Sequence, residues 1–334
     1  MPAHPSSFIG PAVAAALRAH APEAEQNGRL HPAQLGLIFE HNWFSLFVPA
    51  ACGGIAAGLP AALHLLEGIA WADGACGWVT TLCSGAGWFS GFMEPAVCAR
   101  IWAGPRVCMA GSGAVNGIAK AVPGGWEING RWRYASGAPF AGYFSFNARE
   151  EQQGGLVTAW VPASDVQVHD TWNAMGLCAT ASHSFSLQNC FVPHAQCFTI
   201  DAAHAVHEAA VYRFPFLQFA ETTISVNLSG MAMRFFDLSP HVAERKKCID
   251  LLEAWRSELF MLMEKAWQQL TETGVVDDAL LTSTSFAAKR LANGSRQLVN
   301  DLFPFCGMEA AGRHTEINRV WRNIHTAGQH RLLR

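Results

Sequence analysis

The 334-residue chain is short of charge. Asp, Glu, Lys and Arg make up 15% of it, against about 25% in an ordinary soluble domain. Each scarcity excludes something. The net charge is −3 and no basic run exceeds Arg245-Lys246-Lys247, which argues against a nucleic-acid binder held by phosphate contacts. Low charge alongside 12 Trp and 21 Phe excludes a disordered chain. None of the 10 Cys forms a C-x-x-C pair, so zinc and thioredoxin chemistry lack their usual signature. The expectation is no metal site, and buried free thiols in a reducing cytoplasm. Also missing are a G-x-G-x-x-G after a strand, a Walker A loop, a G-x-S-x-G and an H-E-x-x-H. The first residues show no basic stretch followed by an apolar core, so a cytoplasmic rather than secreted protein is expected.

No Lys or Arg occurs between Leu30 and Ala99. Two charge-free stretches in this region, 42–66 and 74–93, are each long enough to cross about 30 Å of hydrocarbon. Pro49, Gly53, Gly54, Gly58 and Pro60 break the first, and the second is rich in Gly, Ser and Thr without basic flanks. Helices buried on nearly all sides are the better expectation, with no membrane span.

Hydrophobic periodicity divides the chain in three. Residues 1–105 read as helical, with helices from Pro11, from Pro32, over 59–73, over 77–92 and over 95–102. Residues 106–200 change to alternation. Pro123-Gly124-Gly125 marks a turn. Trp126 to Ile128 and Trp132 to Tyr134 flank Asn129-Gly130, the strongest short hairpin signal. Strands follow at 143–148, 156–161, 182–187 and 190–192, giving an antiparallel β-barrel or sandwich. Residues 201–334 read as a four-helix bundle, with helices over 217–236, 248–271 and 278–303 and from Glu316 onward, the last capped by Thr315. The fold class is therefore α+β in α-β-α order. Chemistry does not follow from that order alone.

Local motifs add to it. Gly124-Gly-Trp-Glu-Ile-Asn-Gly-Arg-Trp-Arg-Tyr-Ala-Ser-Gly137, Asp170-x-Trp172-x-x-Met175-Gly176-Leu177 with Thr180-Ala-Ser182-His183, Phe191-Val192-Pro193, Ala72-Asp-Gly-Ala-Cys-Gly-Trp78 and Asn318-Arg-Val-Trp-Arg-Asn-Ile-His-Thr-Ala-Gly-Gln-His330 occur in the order of the acyl-CoA dehydrogenase-fold flavoproteins. The chain resembles that superfamily over nearly its whole length. Its dehydrogenases place a catalytic Glu one residue past the position of His330. Arg331 stands there, and a cation cannot abstract an α-proton at neutral pH. The His330 pattern is instead similar to the oxygenase component of two-component flavin-dependent monooxygenases. The resemblance implies reduced FMN or FAD as cofactor, delivered by a separate flavin reductase. It also implies a small aromatic or apolar substrate and a homo-oligomer, a tetramer.

The same resemblance nominates residues. His330 is the candidate acid–base group and Ser136 a donor beside the reactive edge of the flavin. Ala110, Gly111, Ser112, Trp132, Tyr134, Ala135, Ser136, Ser182 and His183 are the candidate cofactor contacts. The chain departs from the family pattern at Ala86 (a His in relatives), Cys178 (an Arg) and Asn323 (an Asp whose loss removes a possible partner for Arg322). It also lacks the R-x-x-F-G segment that dehydrogenases use for the dinucleotide, and its tail is short. Two other readings remain open: an acyl-CoA dehydrogenase-like dehydrogenase or oxidase with another base, and a non-catalytic flavin-fold binding or assembly protein.

Overall fold

The computed structural model describes residues 2–334. Short helices α1 (Pro11–Ala19), α2 (Ala21–Gln26) and α3 (Pro32–Glu40) lead into α4 (Leu59–Ala72), α5 (Gly74–Trp88) and α6 (Pro95–Trp102). Proline at the first turn starts α1, α3, α4 and α6, where its missing N–H costs nothing. The Asp73 carboxylate caps α5 by accepting from the Cys76 amide at 2.8 Å.

Strands β1 (Met109–Val122), β2 (Gly125–Ala135), β3 (Tyr143–Glu150), β4 (Leu156–Pro162), β5 (Gln167–His169) and β6 (His183–Pro193) form one sheet in the order β4-β3-β1-β2-β6-β5. The sheet is not wholly antiparallel. After β2 the chain crosses to the other side of β1, so β3 runs parallel to β1. The expected Asn129-Gly130 hairpin is also absent. The turn is at Pro123-Gly124, with Gly124 at φ +82°, and Asn129-Gly130 lies inside β2. Its glycine serves packing: a Cβ on Gly130 would meet the Trp132 ring at 2.7 Å, and the facing Gly117 is crowded by the same ring.

The bundle comprises α7 (Phe216–Asp237), α8 (Arg245–Thr273), α9 (Asp278–Leu302), α10 (Gly307–Ala311) and α11 (Glu316–Ala327). Helix α7 is buried almost all round. Gly230 lets it cross α4 closely, since a Cβ there would sit 2.3 Å from the Glu67 carbonyl. Helix α11 ends at Ala327, so His330 lies beyond it rather than on it, capping a final 3-10 turn, Arg331–Leu333.

One continuous apolar core joins the N-terminal helices to the bundle, and a separate core fills the β region. The charge-free stretches become α4, α5 and their flanking turns inside the first core. Among the described residues no helix is long and apolar enough to cross a membrane. Glu67, the one charge in α4, is fully buried with Arg256 of α8 at 2.8 Å. Cys52 and Cys98 are joined as a disulfide, 6.0 Å apart at Cα. This departs from the expectation of free thiols throughout, because a loop and a helix far apart in sequence pack together there.

Candidate active site

The site is built around the end of β2. Between Trp132 and Ala135 the strand carries one residue more than β6 opposite. The extra residue is accommodated by Tyr134 at φ +67°, an uncommon conformation for a side chain of this size. The bulge turns Trp132 and Ala135 inward and leaves Tyr134 61% exposed, edge-on to Trp172 at 6.2 Å. The Trp132 side chain is wholly inside the β core, stacked on Phe185 and donating to the Asn147 carbonyl at 2.8 Å. The expectation of a cofactor-facing Trp132 is therefore corrected: alternation across the pleat commits its ring to the core.

Beyond the bulge the chain turns at Gly137, φ +78°. A Cβ there would lie 2.9 Å from both Cys83 Sγ of α5 and the Phe140 ring. The Ser136 hydroxyl is 2.8 Å from that of Ser182, which is 2.7 Å from that of Thr180. Thr180 donates to the Leu177 carbonyl at 2.8 Å. All three side chains are buried. The inner end fixes the direction of the chain. Leu177 O is an acceptor only, and reversing the bonds would set two acceptor oxygens 2.8 Å apart. Each hydroxyl has one hydrogen. Thr180 gives its hydrogen to Leu177 O, Ser182 gives its own to Thr180, and Ser136 gives its own to Ser182. The Ser136 hydroxyl is left with lone pairs only, so a donor from this residue would be its backbone N–H.

The Leu177–Ser182 segment is itself strained. Leu177 (φ +52°) and Ala181 (φ +45°) are both left-handed without being glycine. The final helix holds it in place. The Asn323 side-chain oxygen accepts from the Leu177 amide at 2.6 Å. Gly176 has no room for a Cβ, which would fall 2.1 Å from the Arg322 carbonyl. Arg322 is buried, pairs with Glu25 of α2 and donates to Met175 O and Asn318 Oδ1, each at 2.8 Å. The carboxylate missing from position 323 is thus supplied from a distant helix.

His330 forms the second pole. It is half-buried, edge-on to Trp78 of α5 at 5.8 Å, and its Nδ1 accepts from the Leu332 amide at 3.4 Å. Burial lowers its pKa below the ordinary histidine value, so the ring is neutral at pH 7 and Nε2 is the nitrogen left free. Helix α5 links the poles. Trp78 touches His330, and the Cys83 thiol donates to the Ser136 carbonyl at 3.5 Å. Five residues of helix separate these contacts, about 7.5 Å along the axis.

Other nominated residues sort differently. Ala110 and Ala135 are buried by their side chains, while Ser112 is half-buried. Gly111 has a packing reason, since a Cβ would fall 2.2 Å from Ser145 Oγ on β3. The start of β1 nonetheless adjoins the site, because the Cys108 thiol meets that of Cys83. His183 Nδ1 accepts from the amides of Thr171 and Trp172 at 3.2 and 3.1 Å, so its proton is on Nε2. The Asp170 carboxylate at 3.3 Å then faces a nitrogen with no hydrogen and makes no ion pair with it. Thr180, Trp78 and Cys83 were not singled out as site residues. Only the Thr180-x-Ser182 spacing hinted at the hydroxyl chain. Two surface clefts on the helical layer, one beside His64 and Phe260 and one beside Ser239 and Cys306, include no residue of either pole.

Residues 241–334 match the model of the acyl-CoA dehydrogenase C-terminal domain family. With the α-β-α architecture this defines the class: the chain has the acyl-CoA dehydrogenase fold. It is 25% identical to the flavin-dependent monooxygenase oxygenase subunit HsaA of Rhodococcus jostii, over 94% of this chain and 91% of that protein. The crystal structure of 3-HSA hydroxylase from Rhodococcus sp. RHA1 superposes with a TM-score of 0.89 at 23% identity, covering 96% of this chain and 91% of that one. The TdsC structure from Paenibacillus sp. A11-2 with FMN and indole gives 0.79 at 19% identity, covering 94% and 90%.

Proposed function

We propose that this chain is the oxygenase component of a two-component flavin-dependent monooxygenase acting on a small aromatic substrate. The observation that carries the reading is the direction of the Ser136–Ser182–Thr180 chain. The central ring of a reduced flavin carries an N–H where the oxidised ring has a bare nitrogen. A hydroxyl with only lone pairs to offer accepts from the first and repels the second. The residues present therefore fit reduced FMN or FAD. When bound, reduced flavin supplies the electrons that activate dioxygen.

The protein's part is positioning and proton management. Ser136 orients the ring by accepting at its N–H, with Ser182 and Thr180 holding that hydroxyl in place. The backbone of Ala110, Gly111, Ser112 and Ala135 would edge the cofactor, with Tyr134, Trp172 and the Nε2–H of His183 as further contacts. His330 Nε2 meets the substrate oxygen. Kept neutral by burial, the imidazole can take a proton at Nε2 once its hydrogen shifts to Nδ1, which gives up the long 3.4 Å contact from the Leu332 amide. Trp78 shields that exchange from water. The relatives named above, one holding FMN and indole, support a flat aromatic substrate. Arg331, exposed beside His330, offers no base for acyl-CoA chemistry.

We take a separate reductase and a homotetramer as its partners, in the cytoplasm. Exposed Phe286, Phe305 and Met308 on the bundle suit contacts between copies. The test is product formation from a panel of phenols and indoles with a flavin reductase, NADH and oxygen. Hydroxylated product from at least one is expected. Flavin reoxidation with no product from any, together with anaerobic bleaching of the flavin-loaded protein by an acyl thioester, would overturn the reading.

A further inference from the structure

Away from both poles, three metal-ligating side chains converge from three separate segments. Cys52 closes the 3-10 turn Ala50–Cys52, Cys98 lies within α6, and His207 belongs to the segment that leads from the β region to the bundle. One ligand atom from each falls within 4.8 Å of the other two. In a tetrahedral zinc site, sulfur and nitrogen ligands lie about 3.5–3.8 Å from one another, given bonds of about 2.0–2.3 Å. The cysteines are buried and His207 half-buried. His207 Nε2 is inaccessible and has no hydrogen-bond partner among the described residues, an expense that buried nitrogens rarely carry without a reason. The rings around it are apolar, with Tyr212 6.2 Å from His207 and Phe92 beyond it. The segment is fastened by Val206 N donating to Gly91 O at 2.9 Å.

We propose that Cys52, Cys98 and His207 form a redox-gated metal site that, with the cysteines reduced, holds one thiophilic divalent cation of the zinc class. Charge favours a divalent ion. Two thiolates and a neutral imidazole around M²⁺ sum to zero, the only cheap total in apolar surroundings. The disulfide is the closed, metal-free state. A phosphine reductant and water convert it to two thiols and a phosphine oxide. The cation then displaces both thiol protons, and the fourth coordination position goes to water. Air reoxidation, in which dioxygen takes two electrons from the thiolates and two protons from water to give hydrogen peroxide, re-forms the disulfide and releases the cation. Bound metal would tie the interdomain segment to the N-terminal helices, alongside the Trp88 Nε1–Val211 O and Tyr212 Oη–Phe47 O hydrogen bonds at 2.9 Å each. The proposal is independent of the flavin reading.

The test uses the full chain, air-oxidised and phosphine-reduced, titrated anaerobically with Co²⁺. One equivalent is expected to bind the reduced protein with a thiolate-to-cobalt charge-transfer band, and none the oxidised protein. Cys52→Ser should abolish the band. His207→Ala should weaken binding at least tenfold, and His204→Ala, on the same segment, should not. If Cys52→Ser fails to fold, alkylation of the wild-type protein replaces it. Zn²⁺ should then protect Cys52 and Cys98, mapped by mass, from modification. A reduced protein without the band, equal binding by both redox states, an unchanged His207→Ala titration or unprotected cysteines would each overturn the proposal.

Discussion

At one end of the proposed active site three hydroxyls share a chain of hydrogen bonds that terminates on a backbone carbonyl. At the other a single imidazole has one capping contact and one aromatic neighbour. The first pole is fully satisfied inward and directional, so it can recognise but has no proton to give. The second is under-bonded and kept neutral by burial, so it can exchange a proton but contributes little orientation. Recognition and proton transfer are thus assigned to different elements, the turn after β2 and the tail after α11. They are coupled by α5 between them and by the seating of α11 on the Gly176–Leu177 backbone.

Mutations at the two poles should therefore fail differently. His330→Ala is expected to cut coupled hydroxylation by on the order of 10²–10⁴, while the affinity for reduced flavin changes less than about threefold. Parallel turnover and anaerobic titrations separate the two. A change in flavin affinity as large as the loss of turnover would merge the poles into one. Arg322→Ala tests the coupling. It strips Glu25, Met175 O and Asn318 of a buried partner and should cost about 3 kcal/mol in urea unfolding. In the folded fraction, both flavin binding and turnover should decline together. Ser136→Ala should weaken reduced flavin by about fivefold, one neutral hydrogen bond's worth, and bind oxidised flavin more tightly, because the lone-pair repulsion is gone.

Acidity should act on the imidazole pole alone. Burial lowers the pKa of His64, His207, His325 and His330. Above the unfolded value near 6.5 both folded and unfolded forms are neutral, and these groups leave stability unchanged. Below it the unfolded chain binds protons first, so stability is lost as pH falls through the depressed folded values. Turnover should fall over the same window as His330 protonates, with the wild-type acid limb absent in the residual activity of His330→Ala. The smallest effect belongs to Ala181→Gly. Relief of its left-handed backbone should stabilise the fold by about 0.5–1 kcal/mol, read from the urea midpoint, without altering the pH profile.

What the sequence made legible follows from the range of the forces involved. Helices α4, α7, α8, α9 and α11 were readable because periodicity and caps such as Thr315 are local. The Pro123-Gly124 turn was readable for the same reason. Asn129-Gly130 misled because its glycine answers to the Trp132 ring, a packing demand from within the sheet that local turn chemistry does not register. The parallel β1–β3 pair depends on a crossover, and the Cys52–Cys98 contact on two distant segments. In the site, Ser136 and His330 were nominated through motif resemblance. The direction of the hydroxyl chain needed the Leu177 carbonyl, whose position no spacing reveals. The replacement of a neighbouring Asp by Glu25 as the partner of Arg322 likewise exists only in three dimensions.

The central claim is that Ser136 offers the flavin a lone pair and not a hydrogen. The most direct test is the ratio of dissociation constants for reduced and oxidised flavin, measured anaerobically with FMN and FAD on the wild-type protein. A preference for the reduced form of tenfold or more, collapsing toward unity in Ser136→Ala, is predicted. Equal affinities, or a protein that holds oxidised flavin more tightly, would contradict it.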